Sequence, residues 1–201
     1  MVLRGLENVL READEYFMGT SRIQKTAREL AARLRAANVD FAIAGALALN
    51  VHGVVRMTED VDVLITRDGL RRFKDTWLGR GYVEIRPGGK PIRNTETLVK
   101  IDFLVTGDYP GDGLPKPVSF PVPAAAAVET DDYPVLSLPR LVELKLASGM
   151  TAKDRLRDLD DVMRLVRSRH LPRELQDELD PYVREKFLEL WQLAVAPEPE
   201  Y

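Results

Sequence analysis

Cysteine is absent from this 201-residue chain. No disulfide can staple it and no thiolate can bind a metal, which fits a reducing compartment. No apolar run approaches the ~20 residues that a membrane-crossing helix needs. Met1–Thr20 is charged throughout and lacks the apolar stretch of a secretory signal, so the chain reads as cytoplasmic with no membrane partner. A strong charge of either sign is also missing. The formal net charge is −3, so no global basic field argues for nucleic acid, although a local basic patch remains compatible with it. With 45% hydrophobic and 30% charged residues, the composition predicts one compact globular domain, alone or with a small helical appendage.

What the chain does have is concentrated between Phe41 and Thr66. An apolar strand-like run ends at Gly45-Ala46, a short helical segment follows, and His52-Gly53, Arg56 and Thr58 lead into Asp60-Val61-Asp62. Side chains two apart on a strand share a face. Asp60 and Asp62 therefore sit together, while Val61, Val63 and Ile65 face a core. Two like charges on a half-buried strand repel and are costly to desolvate. The same pair suits a divalent cation that takes oxygen ligands. A second alternating run, Val99–Val105, turns Ile101, Phe103 and Val105 one way and Asp102 the other. Three carboxylates brought to one spot could hold two Mg²⁺ ions, or Mn²⁺, for in-line phosphoryl or nucleotidyl transfer.

This ordered set resembles the nucleotidyltransferase superfamily of the DNA polymerase beta type. That superfamily shows Gly-Gly or Gly-Ser at a helix start, then Asp-x-Asp, then a lone Asp on a later strand. The string Arg56-Met57-Thr58-Glu59-Asp60-Val61-Asp62 is similar to that of the AbiEii toxin and other small bacterial nucleotidyltransferases. Leu144-Lys145 and Lys153-Asp154 resemble that group's downstream helices, and the likeness spans roughly residues 20–168. Ala46 departs from the pattern, because it offers a phosphate its backbone N–H and no hydroxyl.

The resemblance implies an α/β (α+β) fold: a small mixed sheet flanked by helices, with a C-terminal helical part. Its core would cover residues 1–136 and the helical region residues 137–201. It implies transfer of a nucleoside monophosphate from an NTP to an RNA end such as that of tRNA, a protein or a small molecule. Asp60, Asp62 and Asp102 would be the catalytic and metal-holding acids. Gly45, Ala46, Arg56, Thr58 and Lys145 would meet the nucleotide. The alternatives are a toxin–antitoxin component with a partner protein, or an inactive nucleotide- or partner-binding module of the same fold.

Each residue also has a plainer reading. Gly45 can be a simple turn residue, Arg56 a surface charge, and Thr58 a bond to a neighbouring carboxylate. His52 reads as a helix-ending residue that bonds locally. Lys145 lies on an apolar helical stripe with Leu138, Leu141 and Val142, where an ammonium snorkels or pairs. Asp158 or Asp161 is the expected partner, and contact with a triphosphate is the alternative. The run from Lys153 to Asp158 reads as a solvated face, and Leu156, Leu159, Met163 and Val166 as core.

The remaining pattern predicts a first helix through Leu3, Leu6, Leu10 and Ala13, then helices near 21–37, 68–78, 138–148, 153–168 and 181–195. Strands are expected near 39–44, 60–66, 82–86, 97–105 and 134–136, and an edge segment near 118–120 inside a Gly/Pro-rich loop. Ser21-x-x-Gln24 is a capping box, and Asp68 is expected to cap the helix after the second strand.

Overall fold

The computed structural model describes residues 12–16 and 18–196. The helix expected from Leu3 to Ala13 lies largely outside them; residues 12–16 are helical. Ser21 caps α1 (Arg22–Ala36), its hydroxyl accepting the Gln24 N–H. The capping box is not reciprocal, because the Gln24 amide donates instead to the Tyr16 carbonyl at 2.9 Å. Ile23, Ala27, Leu30, Ala31 and Leu34 form the buried stripe of α1 that the 3.6-residue period requires.

The chain then runs through β1 (Phe41–Ile43), α2 (Gly45–Val51), β2 (Asp60–Ile65), α3 (Arg67–Trp77), β3 (Tyr82–Glu84), β4 (Ile92–Asn94) and β5 (Lys100–Val105). After a long loop come α4 (Pro123–Ala126), β6 (Ala127–Val128), β7 (Val135–Leu136), α5 (Leu138–Thr151), α6 (Leu156–Arg169), a 3₁₀ turn over Arg173–Glu178 and α7 (Pro181–Val195). The strands form one seven-stranded mixed sheet in the order β3-β4-β5-β2-β1-β7-β6. At its centre β2 is antiparallel to β1 and parallel to β5. Alternation holds along β5: Ile101, Phe103 and Val105 are buried, while Lys100, Asp102 and Leu104 are half-buried on the opposite face.

Several boundaries differ from the expected ones for local reasons. Thr66 caps α3 through its hydroxyl, which leaves Asp68 in the first turn. Strand β5 begins at Lys100 because Asn94 closes a turn first: its side-chain oxygen accepts from the Glu96 and Thr97 N–H groups. Residues 118–120 form no strand, although Phe120 exchanges backbone bonds with Gly107 and Asp108. Helix α6 begins at Leu156, so Lys153 and Asp154 precede it. Its buried face is Asp161, Val162, Leu165 and Val166. Leu156, expected in the core, is 68% exposed.

The C-terminal helices pack on one another. Phe187 and Leu190 of α7 are buried, and Trp191 Nε1 donates to the Leu171 carbonyl at 2.8 Å. Among the described residues, no helix is long and apolar enough to cross a membrane.

Candidate active site

Asp62 and Asp102 are directly opposite one another in the parallel β2–β5 register, with Asp60 opposite Lys100. Paired positions on adjacent strands point to the same face. The three acids predicted from sequence therefore share one face of the sheet. The two flanking acids are already engaged. The Thr58 hydroxyl donates to Asp60 Oδ1 at 2.7 Å, and Lys100 Nζ lies 2.5 Å from Asp102 Oδ2.

Among the described residues, the Asp62 carboxylate has no hydrogen-bond or ion-pair partner. Burial pushes its carboxyl up to about 7, and the Asp60 and Asp102 charges add to that rise against the pull of Lys145 and Arg155.

The start of α2 meets this acid. Gly45 has φ +57°, and a Cβ placed on it would lie 1.9 Å from Asp62 Oδ2. Glycine is thus required twice, by backbone conformation and by the carboxylate against its Cα. The Ala44 N–H donates to the Asp62 carbonyl at 2.8 Å, which fixes the strand-to-helix corner. Ala46 is buried in the first turn.

A cavity of about 130 Å³ opens beside Asp62 and Gly45. Lys145, Ser148, Arg155 and Asp158 supply its remaining polar wall, and Leu104, Phe120, Leu141 and Leu144 line its apolar side. Sequence reasoning did not point to Ser148 or Arg155, whose places depend on how α5 and α6 meet.

Lys145 takes both expected partners. Its Nζ donates to Asp158 Oδ1 at 2.9 Å and to Asp161 Oδ2 at 2.7 Å. Burial pushes the Asp158 carboxyl up, but Lys145, the Ser148 hydroxyl and Arg155 outweigh it and hold the group below the usual range. Asp158 is therefore an inward member of what the sequence presents as a solvated run.

Arg56 is not a surface charge. Its guanidinium pairs with buried Asp161, and Arg56 itself does not line this cavity. His52 caps the C-terminus of α2, and its Nε2 donates to the distant Leu136 carbonyl at 2.7 Å rather than locally.

The loop over residues 106–122 closes one side of the cavity through Pro110, Gly111 and Phe120. Gly111 has φ +71°, and an added Cβ would meet Thr151 Oγ1 at 2.3 Å and the Ser148 carbonyl at 2.8 Å. Gly111→Ala is expected to cost about 2 kcal/mol or more, from left-handed strain and overpacking together, and to unseat the loop. A urea melt gives the first quantity, and limited proteolysis by an enzyme that cuts before aspartate, at Asp112 of the loop, the second. Wild-type cleavage kinetics in the variant would contradict the loop's anchoring at this glycine.

Three carboxylates supply hard oxygen donors that suit Mg²⁺. Unpartnered Asp62, crowded by two like charges, is the donor that a cation would relieve most. Among the described residues, no three His, Cys, Asp or Glu side chains are already gathered about a metal position. Thr58 and Lys100 hold the two flanking acids.

No protein-family model matches the chain, and neither does any protein of curated function. Solved structures do show likeness. An H. pylori protein assigned as a nucleotidyltransferase is 17% identical, with 84% of this chain and 91% of that one covered and a TM-score of 0.45. JHP933 from Helicobacter pylori is 16% identical, with 85% and 78% covered and a TM-score of 0.41. ANT(2")-Ia in complex with adenylyl-2"-tobramycin is 13% identical, with 85% and 90% covered and a TM-score of 0.38. At these identities and scores the likenesses carry no argument about what this chain does.

Proposed function

We propose that this chain transfers a nucleoside monophosphate from an NTP to an acceptor hydroxyl. The observation that carries the reading is the placement of Asp62 opposite Asp102 on parallel neighbouring strands, with the Asp62 carboxylate at the first residue of α2 and beside a cavity that Lys145 also lines. In the reaction the acceptor oxygen attacks Pα of the NTP. The bond from Pα to the pyrophosphate oxygen breaks, pyrophosphate leaves, and the acceptor's proton passes to a base.

Asp60, Asp62 and Asp102 would hold Mg²⁺, with Mn²⁺ as a substitute. When bound, the ion supplies charge stabilisation to the transferring phosphoryl group. Asp102 is the candidate proton acceptor. The Gly45 and Ala46 N–H groups and the Lys145 ammonium are the candidate phosphate contacts. Thr58 orients Asp60, and Arg56 acts at a distance through Asp161. The acceptor class stays open among an RNA end, a protein and a small molecule.

The direct test incubates the protein with Mg²⁺, cell extract and each NTP labelled at the α-phosphate, then asks which fraction gains label. Label from at least one NTP, lost in Asp62→Asn, is the expected result. Mg²⁺ with that NTP should also raise the melting temperature of the wild type, because a ligand that binds only the folded state stabilises it. Label that persists in Asp62→Asn, or that follows the γ-phosphate instead, would overturn the reading. Nucleotide-dependent stabilisation with no transfer at all would favour the second reading, a binding module. Ala46, which has no hydroxyl for a phosphate, is the residue that motivates it.

A further inference from the structure

Asp161 is fully buried, and one of its oxygens serves two cations from different parts of the chain. Oδ2 accepts from Lys145 Nζ at 2.7 Å and also from Arg56 Nη1. Lys145 comes from α5, whereas Arg56 comes from the segment that leads into the carboxylate strand β2. The Arg56 backbone is held as well. Its N–H donates to Asn50 Oδ1 at 2.7 Å, and its carbonyl accepts from the Tyr16 hydroxyl at 2.7 Å. Asp158 completes the set by accepting from Lys145 and from the Ser148 hydroxyl at 2.7 Å.

Two acids and two bases thus close on one another. Lys145 could be neutralised by Asp158 alone. A second buried acid beside it is costly unless it has a cation of its own, and Arg56 is that cation. Asp161 therefore does more than balance Lys145. It ties the ammonium that lines the Asp62 cavity to the segment that sets Thr58 and Asp60.

We propose that Asp161 is a positioning residue: it fixes Lys145 toward the cavity and the Arg56–Asp60 segment against α6, so that phosphate-facing cation and carboxylate strand keep one separation. The inference rests on the nucleotidyl-transfer reading only in what Lys145 meets; the network itself is independent of it.

The test uses the full chain labelled with ¹⁵N. A lysine ammonium held by two buried carboxylates exchanges its protons slowly and gives its own resonance. The wild-type spectrum should contain one that Lys145→Met removes, and a wild type without it overturns the proposal. Asp161→Asn should lose or displace that resonance, and an unmoved resonance in a folded Asp161→Asn protein overturns the proposal. If that variant fails to fold, Arg56→Met decides: a displaced Lys145 resonance shows that Asp161 couples the two cations, and an unmoved one shows that it does not.

The functional arm measures binding of each of the four NTPs with Mg²⁺. Asp161→Asn should weaken binding by about tenfold, the scale on which residues that orient a ligating group act. Arg56→Met should add nothing in the Asp161→Asn background, because Arg56 acts through Asp161. Unchanged binding in folded Asp161→Asn, or additive effects of the two variants, overturns the positioning role. If the wild type binds none of the four, the transfer reading fails, and the ammonium resonance still decides the role of Asp161.

Discussion

Asp62→Asn is expected to make the metal-free protein more stable at pH 8 while abolishing transfer. Burial and the charges of Asp60 and Asp102 raise the Asp62 carboxyl from 3.8 to about 7. A raised acid pKa means that the folded state binds the proton more tightly than the unfolded chain does. Stability from this group is therefore full below about pH 4 and falls as pH rises toward 7. At 1.36 kcal/mol per pH unit the ionised carboxylate costs the fold up to about 4 kcal/mol above neutrality. Asparagine keeps the shape and removes the charge.

Comparing urea melts of wild type and variant across pH isolates this group from acids such as Asp158, whose shift runs the other way. The stability gap between the two proteins should be largest near pH 8 and close near pH 4. A variant about 2 kcal/mol less stable than wild type at pH 8 would show that Asp62 is a structural acid and would remove the site's chemical rationale.

Gly45→Ala should be the most damaging single substitution at the site. A non-glycine residue at φ +57° costs about 1–2 kcal/mol by itself. The new methyl would lie 1.9 Å from Asp62 Oδ2, so the carboxylate or the start of α2 must move. Overpacking of this kind adds about 1–3 kcal/mol. The two parts can be separated. In an Asp62→Ala background the clash is largely gone, and Gly45→Ala should then cost only the backbone part. The double-mutant cycle thus has an expected coupling of about 1–3 kcal/mol, on the scale seen for residues in contact. Additive losses would mean that Asp62 does not rest on Gly45, and the strand-to-helix corner could then not be what aims that carboxylate.

Much of this site was legible in the sequence because strand geometry is periodic. Alternation alone put Asp60 and Asp62 on one face and Asp102 on the polar side of its own strand. Lys145 on an apolar stripe announced that it needs a carboxylate. Position in the chain carried no equivalent signal for Ser148 or Arg155, and it misled for Leu156, which is the first residue of α6 and exposed, whereas Leu159, Met163 and Val166 of the same stripe meet the core. Thr58 and Arg56 were ambiguous for a related reason: a loop residue has no periodicity to say which way it turns.

The sequence by itself determined the ordered glycine and acid motif and the helical and strand stripes, because local spacing dictates which side chains share a face. Tertiary structure alone decided which faces meet. Parallel pairing in register set Asp62 beside Asp102. The approach of β2 to α2 made Gly45 obligatory by leaving no room for a Cβ. The packing of α6 on α5 brought Asp158 and Asp161 to Lys145, and Arg56 reached Asp161 from 105 residues away. Those contacts depend on desolvation and close packing between distant segments, which no local pattern encodes.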